Sequence, residues 1–405
     1  MNEEFDTGNL PDIDQAAVSD QELVKSIDYT RPLKDYATAN DIAGYLKGRR
    51  EVNDIDLSSL SRHGKVIQDD MEVYLQHPAY NSGTLKEALK SPLHLYFERE
   101  SGWKQELEKV QKEKSYFSLG TFIHSCLLEP EKFNTIVVEP EANRATTAGI
   151  DTLIKFWEDK IILRGGVING TREDGHTTIE TARYYVEDSG RSIDKIDGKR
   201  AYYDNLKELS GLQAISADQK IIIDAVKFNF ARYGGGILPE LMKGVKTEVS
   251  MYYTDPITGL DVRVRLDGLQ LAENLGHNTV ISVKSTAYES LGHFYYHSAK
   301  LCYELSEGMY LDVAEAVTGL PFTCTIMIMV QTVPPFGVAA LVWNAEDLEI
   351  GKYKYRQALQ IVADCEESKK YPGYDIHAES GNLGFIDMKQ PGWNAKELFP
   401  TDVEN

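Results

Sequence analysis

From residue 246 to 286 the chain alternates between apolar and polar positions. In LDVRVRLDGLQL (260–271), Val262, Val264 and Leu266 point one way, and Arg263, Arg265 and Asp267 the other. TVISVKS (279–285) sets Ile281 and Val283 against Ser282 and Lys284. DPITG (255–259) between apolar runs reads as a hairpin turn. FTCTIMIMVQTV (322–333) and FGVAALVWN (336–344) add two further strands. Helical spacing marks other stretches. Leu85, Leu89 and Leu93 predict a helix capped by Ser82 or Thr84 and broken near Pro92. Phe122, Cys126 and Leu127 share a face of a second helix. Further helices are expected over 216–233, around 296–317 and over 345–368. Strands flanked by long helices predict an α/β sandwich.

Two regions break the pattern. Residues 1–60 are polar, with only short amphipathic pieces such as DQELVKSI, and are expected to form an arm, either disordered in the free chain or ordered by docking on another chain. Residues 61–405 would form the body, interrupted at 141–215 by a Gly- and charge-rich inserted lobe or long loops. Neither region is an internal repeat.

Charge changes the picture in one respect. The net charge is −20, which argues against broad contact with a phosphate backbone. Residues 1–60 hold 13 acidic and 6 basic side chains, and residues 361–405 hold 9 and 4. The middle is therefore closer to neutral and has room for a local basic groove. The four cysteines are widely spaced and read as reduced thiols without a zinc pattern. No apolar run is long enough to span a membrane, and the acidic start is not a signal peptide.

If the two alternating strands pair, Asp267, Ser282 and Lys284 come to one face. At these residues the chain resembles the RecE-type phage exonucleases (exodeoxyribonuclease VIII-like) of the PD-(D/E)XK nuclease superfamily. The resemblance runs from about residue 72 to 398. It rests on SPLHLYFERE, GTFIHSCLLEPEKF, TEVSMYYTDPITGLDVRVRLDGL, ISVKST, LSEGMYLDVA, MVQTVPPFGVA, YPGYDI and PGWNA. It implies a PD-(D/E)XK nuclease-like mixed sheet flanked by helices. It also implies Mg²⁺ held by His124, Asp267 and the backbone carbonyl of Val283, with Lys284 at the attacked phosphate. Glu248 would be a supporting acid and Tyr310 a phosphate or structural contact. By the same resemblance the partner is DNA, the activity a 5′–3′ exonuclease and the assembly a ring-shaped homo-oligomer.

Two positions depart from the family's pattern. Ser282 stands where the second metal-binding carboxylate is expected, and Ser306 where a glutamine precedes Tyr310 by four residues. A hydroxyl is neutral and a weak ligand for Mg²⁺, whose affinity follows ligand charge. The sequence therefore favours a nuclease-fold protein with a degenerate metal site. It would act as a structural, possibly virion, or DNA-contacting subunit, in the host cytoplasm or a phage particle, with residues 1–60 meeting assembly partners. The alternative is an active Mg²⁺-dependent exonuclease in which Glu304 or Glu307 supplies the missing carboxylate. Asp387 and Lys389, the pair His293 and His297, and the glycines at 234–236 are expected to be decoys.

Overall fold

The structure is a computed structural model and describes residues 29–49, 51–104, 106, 119–129, 135–165 and 176–388. Strands are β1 (Lys65–Ile67), β2 (Ile136–Val138), β3 (Gln213–Ile215), β4 (Lys246–Thr254), β5 (Asp261–Gln270), β6 (Asn278–Thr286), β7 (Phe322–Gln331) and β8 (Val338–Val342). Helices of eight or more residues are α1 (Ala39–Gly48), α2 (Ser82–Lys90), α3 (Pro92–Arg99), α4 (Leu119–Leu128), α5 (Thr147–Leu163), α6 (Thr178–Asp188), α7 (Ile196–Leu209), α8 (Ala217–Arg232), α9 (Leu291–Lys300), α10 (Tyr303–Thr318) and α11 (Ala345–Ser368).

Six strands form one mixed sheet in the order β1-β4-β5-β6-β7-β8. Only β6 and β7 are parallel, joined by a crossover through α9 and α10; the other pairs are antiparallel. Every residue of β7 is buried, as a central strand covered on both faces requires. One face packs against α10 and α11 through Val264, Leu266, Leu305, Met309 and Leu359. The other packs against α4 and α8 through Ile123, Ile223, Ile281, Val283 and Ile326. A mixed sheet flanked by helices is the fold class expected.

Three expectations need correction. Residues 29–60 are no detached arm: Tyr36, Ala37, Ile42, Ile55 and Leu60 are buried in the two main cores. Their apolar groups are sparse, but a buried polar anchor compensates. Glu349 of α11 accepts from the Thr30 amide at 2.7 Å and from the Tyr36 hydroxyl, beside Lys352 at 3.5 Å. Residues 1–28 lie outside the described residues.

The stretch 141–215 is more regular than its composition suggests. Helices α5, α6 and α7 enclose a separate core around Trp157, Tyr202, Tyr203 and Leu206. The parallel pair β2–β3 closes its base. Thr146 and Thr177 cap two of these helices, and residues 166–175 lie outside the described residues.

Two helix expectations also change, one in its cap and one in its continuity. Asn81, rather than Ser82 or Thr84, caps α2, and Pro92 opens α3 at its first position, where a missing N–H costs nothing. The helix expected around 296–317 breaks at Cys302, which takes a left-handed conformation between α9 and α10.

Candidate functional site

The site lies where β5 and β6 part. Their ladder covers only Gly268–Gln270 against Thr279–Ile281. A Cβ at Gly268 would meet Val245 at 2.8 Å and Ile281 at 3.1 Å, so glycine lets the strands close just before they diverge. Beyond that point the carboxylate of Asp267 replaces the backbone ladder, accepting the Val283 amide at 2.6 Å. The N–H and C=O of one strand residue point the same way, so the Val283 carbonyl faces the same gap.

Across β4, Glu248 stands opposite Asp267, between the paired positions Thr247–Gly268 and Val249–Leu266. Its φ of 55° is left-handed, a conformation that costs a non-glycine residue about 1–3 kcal/mol. The contacts that hold it there are specific. Arg265 Nε donates to Glu248 at 2.7 Å, and Arg265 Nη1 reaches Asp69 at 3.0 Å. Asp69 in turn accepts from Ser250 and Tyr252.

His124 arrives from α4. Its Nε2 lies 3.2 Å from Asp267 Oδ1 and its Nδ1 3.4 Å from Glu248 Oε1. Burial opposes its charge, but Asp267 and then Glu248 outweigh burial and raise its pKa. Lys284 Nζ is 4.0 Å from Asp267 Oδ2. Burial disfavours the ammonium, yet Asp267, Tyr310 and Glu307 keep its pKa above the ordinary lysine range. Burial would likewise raise Asp267, but Lys284, His124 and the Val283 amide hold its carboxyl down.

The helix α10 supplies the remaining carboxylate. Glu307 is completely buried, and neither of its oxygens has a hydrogen-bond partner. Burial pushes its pKa up to about 7, against the pull of Lys284 and the Ser282 hydroxyl. Ser282 is also fully buried with an unpartnered Oγ. It sits close enough to favour the charged form of Glu307 without reaching standard hydrogen-bond geometry. Glu304, one turn earlier, goes elsewhere: Lys354 of α11 binds it at 2.6 Å.

A close helix crossing fixes this rotation. A Cβ on Gly308 would lie 2.4 Å from the Lys352 amide, and one on Gly351 1.9 Å from the Glu304 carbonyl. With that side of α10 locked onto α11, the adjacent Glu307 is held inward.

The structure thus brings together His124, Glu248, Asp267, Val283, Lys284, Ser282 and Glu307, with Tyr310 alongside. Burial and Glu307 raise the Tyr310 phenol, while Lys284 and Ser82 lower it. Ser306 is buried on α10. Asp387 is exposed, and Lys389 lies outside the described residues. His293 and His297 pack on Tyr288.

Sequence reasoning missed Lys86 of α2. Burial and the neighbouring Lys284 push its pKa down to about 8. Its ammonium lies 5.4 Å from the centre of the Tyr303 ring, and Lys284 lies 5.9 Å from the same ring. Nothing in GTLKEALK distinguishes this lysine from a solvated one.

Among the described residues, no group of three His, Cys, Asp or Glu side chains is spaced as a preformed metal cluster. Their helices include none long and apolar enough to cross a membrane. No protein-family model matches the chain, and no curated protein does. A solved structure, named "Putative exonuclease" from Eubacterium rectale, matches over 57% of this chain and 83% of its own, at 10% identity and a TM-score of 0.29. A likeness this slight carries no argument.

Proposed function

We propose that the chain is a metal-dependent deoxyribonuclease in which Glu307 supplies the carboxylate that Ser282 lacks. One observation carries this reading: a fully buried carboxylate with no partner beside Ser282, Lys284 and Asp267. Burying such a group without compensation is costly, and a native structure retains it where a ligand completes it.

The donor set fits Mg²⁺. Asp267, Glu307 and the Val283 carbonyl are hard oxygen ligands, and Mg²⁺ is commonly held by one or two carboxylates together with waters and substrate phosphate. A preformed cluster of three side chains is therefore not required. Once bound, the ion would polarise a scissile phosphate and lower the pKa of a water.

The chain's own groups do the rest. Lys284, held charged by Asp267, meets a phosphate oxygen. His124 steadies Asp267 and Glu248 through one ring, and Arg265 holds Glu248 in place. Tyr310 and Lys86 border the gap on the α2 side. DNA as substrate, exonucleolytic direction and a ring-shaped assembly belong to the same proposal and rest on the family resemblance.

A second reading keeps the fold and drops the chemistry: a structural or DNA-contacting subunit, in a phage particle for instance. The lack of a preformed three-residue cluster among the described residues favours it.

Digestion of linear duplex DNA with Mg²⁺ or Mn²⁺ separates the two. The enzyme reading expects digestion by wild type and its loss in Asp267→Asn, Lys284→Ala and Glu307→Gln, with Glu304→Gln retaining activity. A pure wild-type protein that leaves DNA intact with either metal supports the second reading instead.

A further inference from the structure

Lys86 and Lys284 both face the Tyr303 ring, and from that ring a line of aromatic side chains leads to the surface. His297 lies 6.2 Å from Tyr303 at an interplanar angle of 82°, Tyr288 lies 4.9 Å from His297, and His293 lies 6.2 Å from Tyr288. The line opens outward: Tyr303 and His297 are half-buried, while Tyr288 is 42% exposed and His293 is exposed.

The exposed end is rigidly built. Gln331 donates to the Tyr288 carbonyl at 3.0 Å, Thr286 accepts the Tyr288 amide at 3.1 Å, and Ser290 caps α9 through the His293 amide. A pinned backbone carrying an exposed ring offers a π-face at little ordering cost. The local charge also stands out against a chain of net charge −20. Residues 284–303 carry two lysines and two histidines against one acid, Glu289.

We infer that this track, Tyr303–His297–Tyr288–His293, is a subsite for single-stranded DNA, stacking successive bases while Lys86 and Lys284 hold the phosphate at its inner end. The inference rests on the nuclease reading for its position but concerns binding of bases, which the metal site does not supply. Aromatic platforms bind single strands without sequence preference because every base has a π-face. At 4.9–6.2 Å the rings already pack on one another, so bases would lie over their outward faces rather than between them.

The test uses fluorescence anisotropy of the full chain with Ca²⁺ in place of Mg²⁺. Three labelled duplexes serve as probes: blunt, with a short thymidine tail, and with an abasic tail of equal length. Wild type should bind the thymidine tail most tightly. Tyr288→Ala and His297→Ala should each weaken that binding about tenfold while leaving the blunt and abasic probes as they were. Tyr288→Phe, which keeps the ring, should bind like wild type.

Equal binding of thymidine and abasic tails by wild type, or full retention by both alanine variants, overturns the track. If wild type still digests duplex DNA in that event, the nuclease reading stands. A wild type that neither binds nor digests any probe overturns both.

Discussion

Two glutamates of this chain are equally buried and differ in everything else. Glu349, at the start of α11, is 1% exposed and has its carboxylate filled by Thr30, Tyr36 and Lys352. Glu307, on α10, is 0% exposed and meets no hydrogen-bond donor of standard geometry. The first accepts from donors brought from a segment 319 residues away and is neutralised by Lys352 of its own helix. The second faces a lysine, a serine and an aspartate and is left incomplete. A satisfied buried charge belongs to the architecture, whereas an unsatisfied carboxyl beside other ionisable groups is the kind of group from which a functional site is proposed.

The largest expected effect bears on that contrast directly. Glu307→Gln keeps the shape and removes the charge; the rate of DNA digestion should fall about a thousandfold, since ligand charge sets the hold on Mg²⁺. In the same variant, unfolding by urea should need as much denaturant as wild type or more, because a buried carboxyl without hydrogen-bond partners is gone. A marked loss of stability would mean that Glu307 is structural after all.

Next comes Glu349→Ala. It strands Lys352, itself 3% exposed, and should cost about 3–5 kcal/mol in a urea titration. Digestion by the protein that remains folded should be unchanged. Near-wild-type stability would break the comparison from the other side.

Metal binding supplies a smaller signal. At about a hundred times its dissociation constant, Mn²⁺ or Mg²⁺ should stabilise wild type by about 2.7 kcal/mol, seen as a rise in Tm. Glu307→Gln and Asp267→Asn should show little of that rise, and Glu349→Gln all of it.

The smallest effect is a transfer of the carboxylate. Ser282→Asp in the Glu307→Gln background moves the charge from helix to strand and should recover about tenfold of the lost digestion. Such ions contribute several kcal/mol to the reaction, and a ligand shifted to the strand restores about one tenfold step of it. No recovery would show that the strand position cannot reach the metal.

Much of the middle of the sheet was legible in the sequence, for local reasons. Alternation over 260–271 and 279–285 depends on residues two apart, and it put Asp267 and Lys284 within reach of each other. The structure brings them to 4.0 Å, with His124 3.2 Å from the same carboxylate. Composition misled in the described parts of 29–60 and 141–215. Both are polar on average, yet a few well-placed side chains suffice: Tyr36 and Ile42 in one case, Trp157 and Tyr203 in the other.

What the sequence determined by itself was periodicity, and with it the two faces of each strand and the residue types at the site. It offered Glu304 and Glu307 on one helix, three positions apart, as equal candidates. Periodicity relates the faces of a helix to one another but does not say which face meets the sheet. That decision came from the crossing of Gly308 and Gly351, which binds one side of α10 to α11, turns Glu304 toward Lys354 and leaves Glu307 inside. The same holds for Lys86, carried to Lys284 by the packing of α2 against α10. Contacts between residues far apart in the chain set the rotation of each helix, and only the tertiary structure contains them.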